Sequence, residues 1–125
     1  MNDQIAVVTG GAQGIGLAVA RLLAEQGARV ASWDINPGNA AAVSGFGEGT
    51  LAMECDITNL ASLEAAYART CDLLGTPSIL VNSAGIAGSN ALLGPCGIED
   101  WHRVIEINLN GTFYVNRVCV GGMKA

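Results

Sequence analysis

The sequence predicts an α/β fold, a doubly wound parallel sheet with helices on both faces. Two observations carry the prediction. Short apolar runs alternate with amphipathic helical patterns along the chain, and strands buried on both faces read as such runs. Glycines, 17 of 125 residues, sit without a period between the runs, where turns belong. Strand and helix in alternation imply right-handed crossovers between parallel strands. The length allows one domain with a core.

The elements follow in order. Ile5-Ala6-Val7-Val8 is an apolar run that ends in Thr9-Gly10-Gly11, a buried first strand. From Gly14 the pattern turns helical: Ile15, Ala18, Val19, Leu22 and Leu23 share one face, with Arg21 and Glu25 opposite. Gly27 closes this helix as its C′ residue. Residues 29–34 form a second strand, Asn36-Pro37-Gly38 a turn, and Pro37 opens a short alanine-rich helix. Residues 50–55 form a third strand, followed by a helix with Leu60, Leu63, Tyr67 and Leu74 along one side. Gly75-Thr76-Pro77 breaks that helix, and residues 78–82 form a fourth strand. A loop rich in glycine fills residues 84–97, and one helix is expected from Ile98 to about Met123. No linker, internal repeat or low-complexity stretch divides the chain.

Composition narrows the function classes. Net charge is −5, which argues against a nucleic-acid or anionic-membrane surface. Half the residues are apolar and 14% are charged, a globular balance. No apolar run reaches the ~18 residues of a membrane span. No basic, apolar leader opens the chain, so a cytoplasmic protein is expected. Cys55, Cys71, Cys96 and Cys119 form no CxxC pair, and His102 has no partner at ligand spacing. Idle thiols fit better than a disulfide or a metal site.

The turn Thr9-Gly10-Gly11-Ala12-Gln13-Gly14-Ile15-Gly16 carries the strongest chemical signal. Glycines between a strand and a helix let the backbone approach a diphosphate without Cβ clashes. The helix N-terminus adds unpaired N–H groups and a partial positive charge. Gly10, Gly14 and Gly16 are placed for this, and Gly16 also lets the helix pack against the strand. Such turns also serve S-adenosylmethionine enzymes, flavoproteins and purely structural ends. The context favours a dinucleotide, because Asp34 ends the next strand about 20 residues on, where a carboxylate accepts from ribose hydroxyls. A plain turn residue before Asn36 is the other reading of Asp34. A carboxylate at that place and Gln13 in the turn both favour NAD over NADP.

Four motifs in order resemble the classical short-chain dehydrogenase/reductase family. Thr9-Gly10-x-x-x-Gly14-x-Gly16 is similar to its TGxxxGxG cofactor motif. Cys55-Asp56-Ile57 is similar to its acid-plus-aliphatic pair after strand three. Asn82-Ser83-Ala84-Gly85 is similar to its NNAG motif, with Ser83 in place of the second Asn. Ile107-Asn108-Leu109-Asn110-Gly111 is similar to its NxxG helix segment. The resemblance implies a Rossmann-type sheet with strand order 3-2-1-4. It implies that Gly10, Gln13, Gly14, Ile15 and Gly16 line the diphosphate and adenosine side of NAD. Asp34 then holds the adenine ribose, Asp56 and Ile57 contact adenine, and Asn82, Ala84 and Gly85 border the nicotinamide ribose. A strand-ending turn that stabilises the sheet is the other reading of Asn82–Gly85, and both can hold.

The resemblance gives Asn108 the catalytic helix position that supports a proton-relay water. Trp101, Val104, Ile105 and Asn108 share helical spacing, which puts Asn108 on an apolar stripe and Asn110 elsewhere. A structural hydrogen bond or a local helix kink is the alternative.

The family's acid–base pair is a Tyr-x-x-x-Lys, with a Ser on the preceding strand. Here Tyr67 is followed at that spacing by Cys71, and Tyr114 by Val118. The chain therefore reads as the cofactor-binding half of a dehydrogenase, inactive as a segment, with the C-terminal strands missing from it. The expected whole is a cytoplasmic, tetrameric NAD-dependent oxidoreductase acting on a small alcohol or ketone. Competing readings are a non-catalytic NAD-binding module or redox sensor, and a methyltransferase. The substrate is not legible: the small residues of the 85–97 loop set no preference.

Overall fold

A computed structural model describes residues 2–85 and 97–124. Four parallel strands form one sheet: β1 (Ile5–Thr9), β2 (Arg29–Asp34), β3 (Thr50–Glu54) and β4 (Ile79–Asn82). Their order is β3-β2-β1-β4, as the resemblance implied. The helices are α1 (Gly14–Glu25), α2 (Asn39–Val43), α3 (Leu60–Leu73), α4 (Ile98–Ile105) and α5 (Thr112–Lys124). A π-helical segment, Glu106–Gly111, joins α4 to α5.

The pleat of β1 sends alternate side chains to opposite faces. Val7 joins Ala31, Trp33, Met53, Leu63, Val115 and Cys119 in the core under α3 and α5. Ala6 and Val8 join Val30 and Ala20 in the core under α1, with Leu23 and Phe46 packed against it. Both faces of the sheet are covered, which explains why the strands read as unbroken apolar runs.

Helix α1 turns differently from the expected stripe. Its buried positions are Gly16 and Ala20, while Ile15 and Leu22 are exposed. Small residues let the helix axis come close to the sheet, and the large aliphatics flank that contact. On α3, Leu63, Ala66 and Thr70 are buried, and Leu60 is exposed. Pro37 does not open α2; Gly38 is its N-cap and Asn39 its first residue.

The single helix expected from Ile98 to Met123 is broken in character by the π-helical segment. The extra residue in a widened turn shifts the phase of every later side chain. Asn108 lies within that turn and is exposed, as is Trp101, so the apolar stripe drawn through them is not a buried one. Residues 86–96, most of the expected glycine-rich loop and with it Cys96, lie outside the described residues. Among the described residues no helix is long and apolar enough to cross a membrane.

Candidate functional site

The chain passes from β3 to β4 across β2 and β1, so the strand order reverses beside β1. In open α/β sheets a crevice forms outside the carboxyl ends of the strands at such a point. A cavity of about 730 Å³ lies there. The glycine turn, the ends of β2 and β3, the turn after β4, and the helical residues Arg103, Glu106 and Ile107 line it.

The glycine turn is docked on β2. The Gly10 N–H donates to the Trp33 carbonyl at 2.8 Å, and the Ala12 N–H donates to Asp34 Oδ2 at 3.0 Å. Gly16 sits where a Cβ would run into the Gly10 carbonyl oxygen, so only glycine lets the helix start directly against the turn. Gly14 has φ +59, and a Cβ there would meet nothing within 4 Å. It is glycine for backbone shape and faces open cavity.

The N-terminus of α1 has no side-chain cap. Gln13 is the N-cap residue and makes no capping bond, and no acid lies in the first turn. Helix α3 is different: Asn59 Oδ1 accepts from the Ser62 N–H at 3.1 Å. The first N–H groups of a helix lack intrahelical acceptors and need oxygen from elsewhere. The first two residues of α1, Gly14 and Ile15, line the cavity.

The turn after β4 is held from β1. Thr9 is buried, and its Oγ1 accepts from the Ser83 and Ala84 N–H groups, each at 3.1 Å. A Cβ on Gly10 would stand 2.8 Å from the Ala84 backbone. Gly10 therefore serves this close approach of two turns. The motif shows Thr9 but not this stitching role, which needs the β1–β4 pairing.

Asp34 and Asp56 face the cavity from adjacent strand ends. Asp34 Oδ1 also accepts from the Asn36 N–H at 2.9 Å, so the turn-residue reading of Asp34 holds alongside its place in the cavity wall. Asp56 Oδ1 accepts from the N–H and hydroxyl of Thr58 at 2.9 and 2.6 Å. Ile57 lines the cavity and is buried, its Cδ1 lying 2.6 Å from where a Gly111 Cβ would stand.

Of the sequence-predicted residues, Gly10, Gln13, Gly14, Ile15, Asp34, Asp56, Ile57, Ala84 and Gly85 line the cavity. Gly16 lies behind the turn. Asn82 turns away: its Nδ2 donates to Asn116 Oδ1 on α5 at 2.9 Å. Asn108 reaches the rim, with Oδ1 3.0 Å from the Cβ position of Gly85. Asn110 is held separately, donating to Glu106 Oε2 at 3.0 Å. Sequence reading missed Trp33, Ile35, Cys55, Arg103 and Glu106 in the lining. Glu106 directly precedes the Ile107–Gly111 motif and Arg103 lies one helical turn before it on α4, but no motif gives either a role, and only the fold sets them opposite the glycine turn.

Comparison with known proteins agrees with this architecture. The family model for short chain dehydrogenase matches residues 4–125. The chain belongs to the short chain dehydrogenase family. It is 39% identical over 92% of its length to the 2-dehydro-3-deoxy-L-rhamnonate dehydrogenase (NAD(+)) of Sphingomonas sp. (strain SKA58), covering 46% of that protein. It is 36% identical over 98% of its length to a 3-oxoacyl-[acyl-carrier-protein] reductase of Vibrio harveyi, covering 50% of that protein. The crystal structure of an actinorhodin polyketide ketoreductase with NADPH superposes with a TM-score of 0.88 at 30% identity. That match covers 96% of this chain and 47% of the ketoreductase. The chain thus spans about half the length of the curated relatives it matches.

Proposed function

We propose that this chain binds NAD in the strand-end cavity and forms the cofactor half of an oxidoreductase that interconverts a secondary alcohol and a carbonyl. The observation that carries the reading is the uncapped N-terminus of α1, whose first two residues, Gly14 and Ile15, line the cavity. A diphosphate supplies the acceptors those N–H groups lack, without a basic side chain in the turn. Bound NAD supplies a hydride acceptor, and the protein's share is binding and orientation.

The choice of NAD rests on charge. Asp34, Asp56 and Glu106 line the cavity against the single cation Arg103 among its described lining residues. A 2′-phosphate beside Asp34 would be repelled. One relative is named for NAD(+) and one structural neighbour holds NADPH, so the family alone does not choose. Asn108, at the rim over Gly85, is the residue we assign to a catalytic position. Neither Tyr67 nor Tyr114 has a Lys four positions on, so these 125 residues alone are expected to bind cofactor and turn nothing over. The whole is proposed to act in the cytoplasm as a homotetramer.

Thermal unfolding with ADP-ribose, S-adenosylmethionine or FMN at millimolar concentration tests the ligand class. A ligand at about 100 times its Kd adds about 2.7 kcal/mol of stability. ADP-ribose is expected to raise Tm, with the other two giving no rise. A rise with S-adenosylmethionine alone would overturn the reading.

A further inference from the structure

We propose that the buried pair Ser32 and Asn39 are positioning residues that set the adenine-ribose wall of the cavity and hence the discrimination between NAD and NADP. This rests on the dinucleotide reading above. Asn39 is the first residue of α2, yet its side chain is turned inward and is 4% exposed. Its Nδ2 donates to the Ser32 carbonyl at 2.8 Å and reaches the Met53 carbonyl at 3.4 Å. Two carbonyls can only accept, so they fix which end of the amide is nitrogen. Its Oδ1 accepts from the Ser32 hydroxyl at 2.8 Å. The amide therefore ties the start of α2 to β2 and β3 together, with its oxygen and nitrogen both engaged.

The other side of Ser32 meets the glycine turn. A Cβ on Gly11 would run into Ser32 Oγ, so the turn rests directly on that hydroxyl. Ser32 thus lies between Asn39 beneath and Gly11 above, two residues before Asp34. The cavity wall between Asp34 and Asn39 is short and is fixed at both ends. Asp34 holds the near end through the Ala12 and Asn36 N–H groups, and Asn39 holds the far end. Its own N–H also donates to the Asn36 carbonyl at 3.1 Å. Removing the Asn39 amide deletes its side-chain bonds, leaves the buried Ser32 hydroxyl without its acceptor and frees the wall that carries Ile35 and Asn36. The Asp34 carboxylate then has room to swing from a ligand phosphate.

The test compares Asn39→Ala, Ser32→Ala and Thr70→Val in the full chain, well below each Tm. Thr70 is a control: it is buried on the opposite face of the sheet, where its hydroxyl donates to the Ala66 carbonyl and accepts from Trp33 Nε1. Kd values for NAD, NADP and ADP-ribose are measured by calorimetry. Asn39→Ala is expected to weaken NAD and ADP-ribose about tenfold and to bring the NADP-to-NAD Kd ratio about tenfold closer to one. Ser32→Ala, the milder change, moves the ratio in the same direction by about threefold and serves if Asn39→Ala does not fold. Thr70→Val lowers Tm and leaves the ratio within about twofold of wild type. An unchanged ratio in a folded Asn39 or Ser32 variant, or an equal shift in Thr70→Val, would overturn the positioning role. Wild-type protein that binds none of the three ligands would overturn the dinucleotide reading, and this inference with it.

Discussion

Asp34 accepts from the Ala12 and Asn36 N–H groups before any ligand is considered. Its carboxylate is thus aimed by the backbone on both sides and can present a fixed negative charge to a ribose. Asp34→Ala is expected to weaken NAD about tenfold while leaving NADP nearly unchanged, measured by titration; equal NAD affinity would remove Asp34 from the ribose site. The two glycines of α1 separate by the same logic. Gly16→Ala pushes a methyl into the Gly10 carbonyl and should cost about 1–3 kcal/mol or more in denaturant unfolding. Gly14→Ala meets no atom and should cost about 1–2 kcal/mol from its backbone shape alone. Burial pushes the Cys55 thiol from its ordinary 9.0 to about 11 and the Cys119 thiol to about 12. A raised thiol pKa stabilises the fold fully below pH 9.0, and that contribution is lost as pH rises through about 11 and 12. Unfolding free energy should therefore fall above pH 9.0, and Cys55→Ala with Cys119→Ala should flatten that fall. At the residue scale Asp34 was legible because it ends a strand at a fixed distance from the glycines. The Asn82–Asn116 bond was not, because it joins β4 to a helix whose docking no local pattern encodes.

The elements show where periodicity succeeds and where it fails. Strand β2 spans residues 29–34 as expected, because Val30 meets one core and Ala31 and Trp33 the other. The face of α1 was misread because counting large aliphatics ignores small ones. Gly16 and Ala20 are the buried residues of α1, Gly16 against the Gly10 turn and Ala20 in the core with Ala6, Val8 and Val30. The helix after β4 was misread in phase, because the π-helical Glu106–Gly111 segment shifts the side-chain rotation in its middle. The sequence reading had kept a local kink at Asn108 as an alternative, and the widened turn fits it; Thr112 Oγ1 donates to the Asn108 carbonyl at 3.1 Å within this stretch. Such turns often occur at functional sites. Asn108→Ala in the complete oxidoreductase, of which this chain is proposed to be the cofactor half, is expected to lower kcat by about 100-fold while Kd for NAD stays within about twofold. A proportional loss of NAD binding would make Asn108 structural.

On the scale of the whole molecule, strand order and parallel pairing followed from alternation and family resemblance together. The sheet accounts for the cavity, since the strand ends and the reversal beside β1 create it. Large apolar side chains stay exposed along the last helices: Trp101 on α4, Leu109 in the π-helical segment and Phe113 on α5 are each more than half exposed. A homo-oligomer would cover them, and Phe113→Asp is expected to lower the sedimentation coefficient toward that of a monomer. Unchanged sedimentation would place the contact elsewhere. Nicotinamide fluorescence reads cofactor choice in the cavity most directly. Titrating the protein into NADH and into NADPH should give a Kd for NADH at least about tenfold lower. Equal affinities, or tighter binding of NADPH, would contradict an NAD site built on Asp34.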